Sequence, residues 1–203
     1  MLKMILYSIA FLTGFVIMTY EILGVRVLSP YYGSSVHVWG AIISVFLAGL
    51  SIGYAAGGKL ADKNACVRNL SKLILIPSAL IVLFPLYGYF LCNLFYNHVS
   101  ATKFGALFLS ITLFMLPCIF MGAVLPVLVI MLTTNDRRIG AAAGNVYSVS
   151  TAGSIAGTIF TSFFLISMVS VSKGIMLCGL LLAACWLLCL SYDKGSVKNN
   201  LGI

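Results

Sequence analysis

The chain has 203 residues, of which 62% are hydrophobic and only 8% are charged, and its net charge is +8. Soluble domains contain about 25% charged residues, so this chain could not keep the surface of a soluble domain of its size hydrated. The composition excludes a soluble protein, and we expect no separate soluble catalytic domain beside the membrane segments.

Six stretches contain no Asp, Glu, Lys or Arg, and the longest, 139–172, has 34 residues, too few for two spans and a turn. A hydrocarbon core ~30 Å thick needs about 20 mostly apolar residues in a helix. The sequence therefore predicts an all-α integral membrane protein with one domain over residues 1–192 and a short polar tail over 193–203. The six predicted helices cover about 4–28, 37–58, 70–95, 104–132, 138–167 and 172–191.

The cations are distributed unevenly between the two sides that this topology defines. The side without the termini carries only three of the twelve Lys and Arg residues, Arg26, Lys103 and Lys173. Cytoplasmic loops are enriched in Lys and Arg, so both termini are predicted in the cytoplasm, and nucleic acid is not expected as a partner. The remaining nine cations are Lys3, Lys59, Lys63, Arg68, Lys72, Arg137, Arg138, Lys194 and Lys198.

Two predicted helices carry stripes of small residues. Small residues at every fourth position let membrane helices approach closely, and Gly49, Gly53 and Gly57 have this spacing in the second helix. The stripe on the fifth helix also contains hydroxyls, so it is either a tight helix interface or a ligand-facing, hydrated surface. Its members, at spacings of three and four, are Gly140, Gly144, Tyr147, Thr151, Ser154, Thr158 and Thr161. Asn145 is predicted to form an interhelical hydrogen bond.

Glu21 is the strongest candidate for a functional residue because it lies within the apolar sequence of the first helix. Ionisable groups inside membrane helices are expensive and usually face a partner or a hydrated cavity. Two interpretations stay open: a cation or proton site, or a structural acid paired with Arg26 or with a hydroxyl. Arg26, five residues later, suits a partner on another helix better than a local pair.

The loop after the second helix, 58–63, reads Gly-Lys-Leu-Ala-Asp-Lys. Gly58, Asp62 and Lys63 could form a latch that holds the end of another helix, or the loop could simply be solvated. The six cysteines and two histidines lack the spacing of a metal site, so no metal or cofactor is expected. No catalytic motif is present, and we expect no enzyme.

Three segments together resemble the membrane portion of fused spermidine-synthase-like proteins. The first is 18–28, with Tyr20 and Glu21, followed by Gly-Ser-Ser at 33–35; the second is Leu-Pro at 116–117 with the Met-Gly-x-x-x-Pro segment 121–126. The third is the glycine-rich fifth helix, with Gly140, Gly144, Tyr147, Gly153 and Gly157. The loop 58–63 is similar both to this family and to the loop after the second helix of major facilitator transporters.

The resemblance implies half of a major facilitator core without the aminopropyltransferase domain of the fused members. The first hypothesis is a small-molecule carrier or receptor of the bacterial inner membrane, with a homodimer supplying twelve helices. Glu21, with Tyr20 and Arg26, would bind a cation such as a polyamine, and Asn145, Tyr147, Thr151 and Ser154 would line the path. The alternative is an anchor or accessory subunit that docks a separate synthase or another membrane complex through 59–72 and 135–138.

Overall fold

The computed structural model describes residues 2–98, 103–133 and 139–200, and these form six long helices. Each helix is long and apolar enough to cross a membrane, so the predicted six-helix membrane architecture is confirmed. We number them α1 (Leu2–Tyr32), α2 (Val36–Asn64) and α3 (Val67–His98), then α4 (Lys103–Ser110, Ile111–Met115 and Leu116–Thr133), α5 (Ile139–Phe160, Thr161–Leu165 and Ile166–Met168) and α6 (Val171–Asn200).

Three helix ends differ most from the sequence-based boundaries. α2 continues to Asn64, so residues 58–63, predicted as a loop, are helical. The sequence predicts that α1 ends at about residue 28, but the helix continues through Pro30 to Tyr32 and is followed by Gly33, whose φ is +74°. Glycine adopts this left-handed conformation without steric penalty, and the Gly33 N–H donates to the Ser29 carbonyl at 2.9 Å. α6 runs to Asn200, well beyond the apolar span that ends at Tyr192. Extending an existing helix is far easier than nucleating one.

The helices pack mainly as three pairs, α1 with α5, α2 with α4, and α3 with α6. The α1–α5 pair is parallel and keeps one register, because its contacts join residues 142 positions apart at Thr161–Thr19 and at two further levels. The α3–α6 pair is antiparallel, since Ser78 donates to the Gly179 carbonyl at 3.0 Å while the later Tyr89 bonds the earlier Ser172 at 2.9 Å. The two further α1–α5 levels are Phe11 with Gly153 and Phe15 with Gly157.

The α2–α4 pair also makes a close glycine contact. A Cβ added at Gly53 would lie 3.0 Å from both the Ala123 nitrogen and the Gly122 Cα, and one added at Gly49 would lie 2.7 Å from the Cys118 Cβ. These backbones approach without side chains between them, where dispersion and weak hydrogen bonds act. The predicted packing face of α2 therefore lies against α4.

An aromatic cluster fills the centre of the bundle, and α1 to α4 all contribute to it. Tyr20 is fully buried there, with ring centroids 5.2 Å from Phe114, 5.8 Å from Phe46 and 6.3 Å from Phe84. Phe84 also stacks on Phe114 at 5.9 Å. Edge-to-face and offset contacts of this kind are favourable beyond the buried area alone, so the cluster fixes the middle of α1 against three neighbours.

Candidate functional site

Glu21 lies four residues past residue 17, the midpoint of α1, and its side chain is half-buried. An α-helix rises 1.5 Å per residue, so Glu21 is about 6 Å from the middle of a helix that exceeds the hydrocarbon thickness. Among the residues that the structure describes, none makes an ion pair or hydrogen bond with its carboxylate. Arg26 is exposed and does not pair with it. Glu21 is therefore an acid at membrane depth without a described cation.

Tyr20, next to Glu21, points into the aromatic cluster and not toward the open side of α1. Its hydroxyl is buried and has no hydrogen-bond partner within the described part of the chain. A buried hydroxyl without a partner loses its hydration without compensation. The two neighbouring residues thus place two uncompensated polar groups on one turn of α1.

Two π-helical turns pack against this same turn of α1. In α4, Phe114 of Ile111–Met115 contacts Tyr20, and its ring lies 3.2 Å from where a Cβ on Gly24 would be. In α5, Thr161 of Thr161–Leu165 donates a buried hydrogen bond to the Thr19 hydroxyl at 2.9 Å. The sequence analysis missed both turns. Pro117 offered a signal for the first, because its ring crowds the carbonyl four residues earlier, at Leu113.

The hydroxyl stripe of α5 is divided into a packed half and an open half. Ser154 donates to the Gly14 carbonyl at 3.2 Å, and Thr158 donates to its own helix at the Ser154 carbonyl. Tyr147, in contrast, is 44% exposed, and Thr151 is exposed as well. The half nearer Phe160 is therefore a helix interface, and the half nearer Ile139 remains available to a partner or ligand.

The glycines of α5 also differ in how closely other residues approach them. Gly153 and Gly157 lie against the α1 backbone at Phe11 and Phe15, whereas no described residue lies within 4 Å of a Cβ on Gly140 or Gly144. Within the described chain, Gly140 and Gly144 therefore do not pack against another helix as predicted. An α-helix turns about 100° per residue, so Gly144, nine residues before Gly153, lies on the opposite side of α5 from the glycines that meet α1.

Other predicted positions lie on open surface. Asn145 is exposed and makes no side-chain hydrogen bond with a described residue, so the interhelical bond expected of it is not formed within the described chain. Gly58 has no described neighbour within 4 Å of an added Cβ, and Asp62 and Lys63 are exposed without a described ion pair. The loop 135–138, named as a docking segment, lies outside the described residues.

A groove between α1 and α5 adds two polar side chains that sequence reasoning did not single out. Tyr7 and Ser8 line this groove of about 430 Å³ together with Phe11, Leu12 and Val149. Across the described ranges, no three His, Cys, Asp or Glu side chains are grouped to hold a metal ion. What the arrangement offers chemically is one carboxylate at membrane depth, together with phenol and alcohol hydroxyls.

No known protein family, no curated protein and no solved structure matches the chain. The functional assignment therefore depends on the side chains themselves.

Proposed function

We propose that the chain is a non-enzymatic, multi-pass protein of the bacterial inner membrane that binds or transports a small, cationic, polyamine-like ligand at Glu21. The observation that carries the proposal is the Glu21 carboxylate, half-buried at membrane depth without a described cation beside it. Such a group is costly for a membrane helix to hold. A bound cation or proton offsets that cost and gives the residue a physical reason to be there.

The open half of the α5 stripe supports a polar entrance to a ligand path at the end of the bundle where α1 starts. Tyr147 and Thr151 are exposed on α5, and Tyr54 is exposed on α2. Both helices contact α1. A small amine moving between α2 and α5 would meet hydroxyl oxygens as acceptors before it reached Glu21 on α1.

The proposed topology has both termini in the cytoplasm and resembles half of a major facilitator core. Support comes from the cations at the end of the bundle where α1 starts, since Lys59, Lys63, Arg68 and Lys72 are all exposed there, as expected for a cytoplasmic surface. A homodimer would supply twelve helices and cover the open half of α5. The resemblance to the membrane portion of spermidine-synthase-like proteins suggests the polyamine class of ligand.

Spermidine binding to protein in lipid nanodiscs tests this proposal, with Glu21→Gln as the variant. Hydrogen bonds to charged groups contribute about 1.5–3 kcal/mol, so the variant should bind roughly 10- to 150-fold more weakly. Asp62→Asn removes an equal charge from an exposed position and serves as the matched control, with unchanged affinity expected. Thermal unfolding confirms that both variants are folded. Equal affinity of wild type and Glu21→Gln would rule out the role proposed for this residue.

A second candidate is an anchor or accessory subunit, and the exposed cations at the same end favour it. The α2–α3 connection is held by the Asn69 side chain, which donates to the Asn64 carbonyl at 2.9 Å, so a basic surface is presented on an ordered turn. An acidic synthase-like partner could dock there. Native mass spectrometry of the 21.8 kDa chain, extracted gently from its own membrane, separates the candidates. A homodimer with a bound cation supports the carrier, and a stoichiometric complex with a larger protein supports the anchor.

A further inference from the structure

The two π-helical turns belong to different helices but converge on one turn of α1. Phe114 of the α4 turn contacts Tyr20 at 5.2 Å, and Thr161 of the α5 turn bonds Thr19 at 2.9 Å. Glu21 follows directly in the sequence. π-Helix accounts for well under 1% of residues in proteins and is frequent at functional sites. Two such turns contact consecutive residues of α1, Thr19 and Tyr20, and this convergence points to a shared role.

A π turn contains one residue more than the α-helical turn it replaces, with hydrogen bonds from i to i+5. The extra residue can be moved along the helix by exchanging one hydrogen bond for the next. Each step rotates the residues passed by about 100° and shifts them ~1.5 Å along the axis. A helix that carries a π turn therefore has a second packing available without unfolding.

We propose that the two π turns form a paired joint, which re-registers parts of α4 and α5 against α1 and so opens and closes access to the Tyr20 hydroxyl beside Glu21. The structure shows the closed arrangement, in which Phe114 stacks on Phe84 at 5.9 Å and lies against Tyr20. Movement of the α4 turn withdraws Phe114 from the cluster. Water then reaches the Tyr20 hydroxyl, which has no partner among the described residues.

The unsatisfied Tyr20 hydroxyl is what makes two states comparable in free energy. The closed state has the aromatic contacts but leaves this hydroxyl dehydrated, and the open state loses the contacts but hydrates the hydroxyl. When the free energies of contact and of hydration oppose each other in this way, a packed element keeps two stable arrangements. The joint serves ligand access only if the proposed function is right, but its movement does not depend on a ligand.

Cysteine accessibility tests the joint, because Cys118 is fully buried and follows the α4 turn by three residues. The parent protein retains Cys118 and has alanine at the other five cysteines. Deletion of Thr112, an exposed residue of the turn, removes the extra residue and leaves the flanking α-helical faces in place. We expect the deletion variant to fold and its Cys118 to react with a small maleimide at least tenfold more slowly than in the parent.

Deletion of Leu83, exposed in α3, which is α-helical over its described length, is the matched control and should disrupt the fold, because every later face of α3 rotates. An unchanged Cys118 rate in the Thr112 deletion would overturn the proposal. So would a collapse as severe as that of the Leu83 deletion, since the turn would then hold no spare residue.

Hydrogen exchange on the unmodified protein gives a second test that needs no variant. Residues 111–119 and 161–167 should exchange at one common rate, at least tenfold faster than 80–86 in α3. Rates that differ more than tenfold between the two turns, or protection equal to that of α3, would disprove a paired joint. Both tests are made without ligand, so their failure is distinct from retained spermidine binding in Glu21→Gln.

Discussion

Gly53→Ala, at the contact between α2 and α4, is predicted to lower the stability of the protein. The added Cβ would lie 3.0 Å from the Ala123 nitrogen and from the Gly122 Cα, and closer still to the Ile119 carbonyl oxygen. All three are backbone atoms, so no side-chain rotation relieves the overlap and the two helices must separate. Overpacking of a tight interface typically costs about 1–3 kcal/mol, and we expect Gly53→Ala to lie in this range.

The control is Gly40→Ala in the same helix, where no described residue lies within 4 Å of the new Cβ. Alanine is favoured over glycine inside a helix by roughly 0.5–1 kcal/mol, so this variant should be as stable as the parent or slightly more stable. The assay is equilibrium unfolding by SDS titration in mild detergent micelles, followed by circular dichroism. If both substitutions shift the midpoint equally, the inferred backbone contact is absent and the reasoning fails.

Three further predictions concern the Tyr20 hydroxyl, the hydrogen bond between α1 and α5, and the C-terminus. Tyr20→Phe removes a hydroxyl with no described partner, so we expect unchanged or higher stability in the SDS titration; a clear loss would reveal an unseen partner. A double-mutant cycle of Thr19→Val and Thr161→Val should give a coupling of about 0.5–1.5 kcal/mol for their hydrogen bond, and zero coupling would contradict it. Because the C-terminus is proposed to be cytoplasmic, we expect a fluorescent protein fused after Ile203 to be bright. Activity of a periplasmic reporter fused at the same place would contradict this topology.

The six spans could be predicted because bilayer thickness and the cost of charged groups act on sequence directly. The packing face of α2 could also be read, since four-residue glycine spacing defines one side of a helix. The side of α5 that faces α1 could not be predicted. Gly144 and Gly153 look alike in the sequence, yet only Gly153 meets α1 closely. They are nine residues apart and so lie on opposite sides of α5, and both sides carry small residues.

The aromatic cluster at the centre of the bundle could not be predicted, for a related reason. Tyr20, Phe46, Phe84 and Phe114 come from four helices, and nothing in the sequence distinguishes them from aromatic residues that face lipid, such as Phe90, which is 66% exposed. Pro117 interrupts the backbone hydrogen bonding of the preceding turn of α4, and the structure has a π turn just before it. The π turn of α5 has no proline after it, and we have no local account of its origin.

The polar groups left without a partner after packing support the proposed site. Helices in lipid satisfy hydroxyls within or between themselves, and Ser154, Thr158 and Thr161 follow this rule in α5. In contrast, Glu21 and the hydroxyls of Thr13, Tyr20 and Tyr32 have no described partner, and all four residues belong to α1. Glu21 and Tyr20 share one turn of this helix, which contacts all the others. A movement or a ligand that provides a partner for both Glu21 and the Tyr20 hydroxyl must therefore act at α1, which contacts every other helix of the bundle.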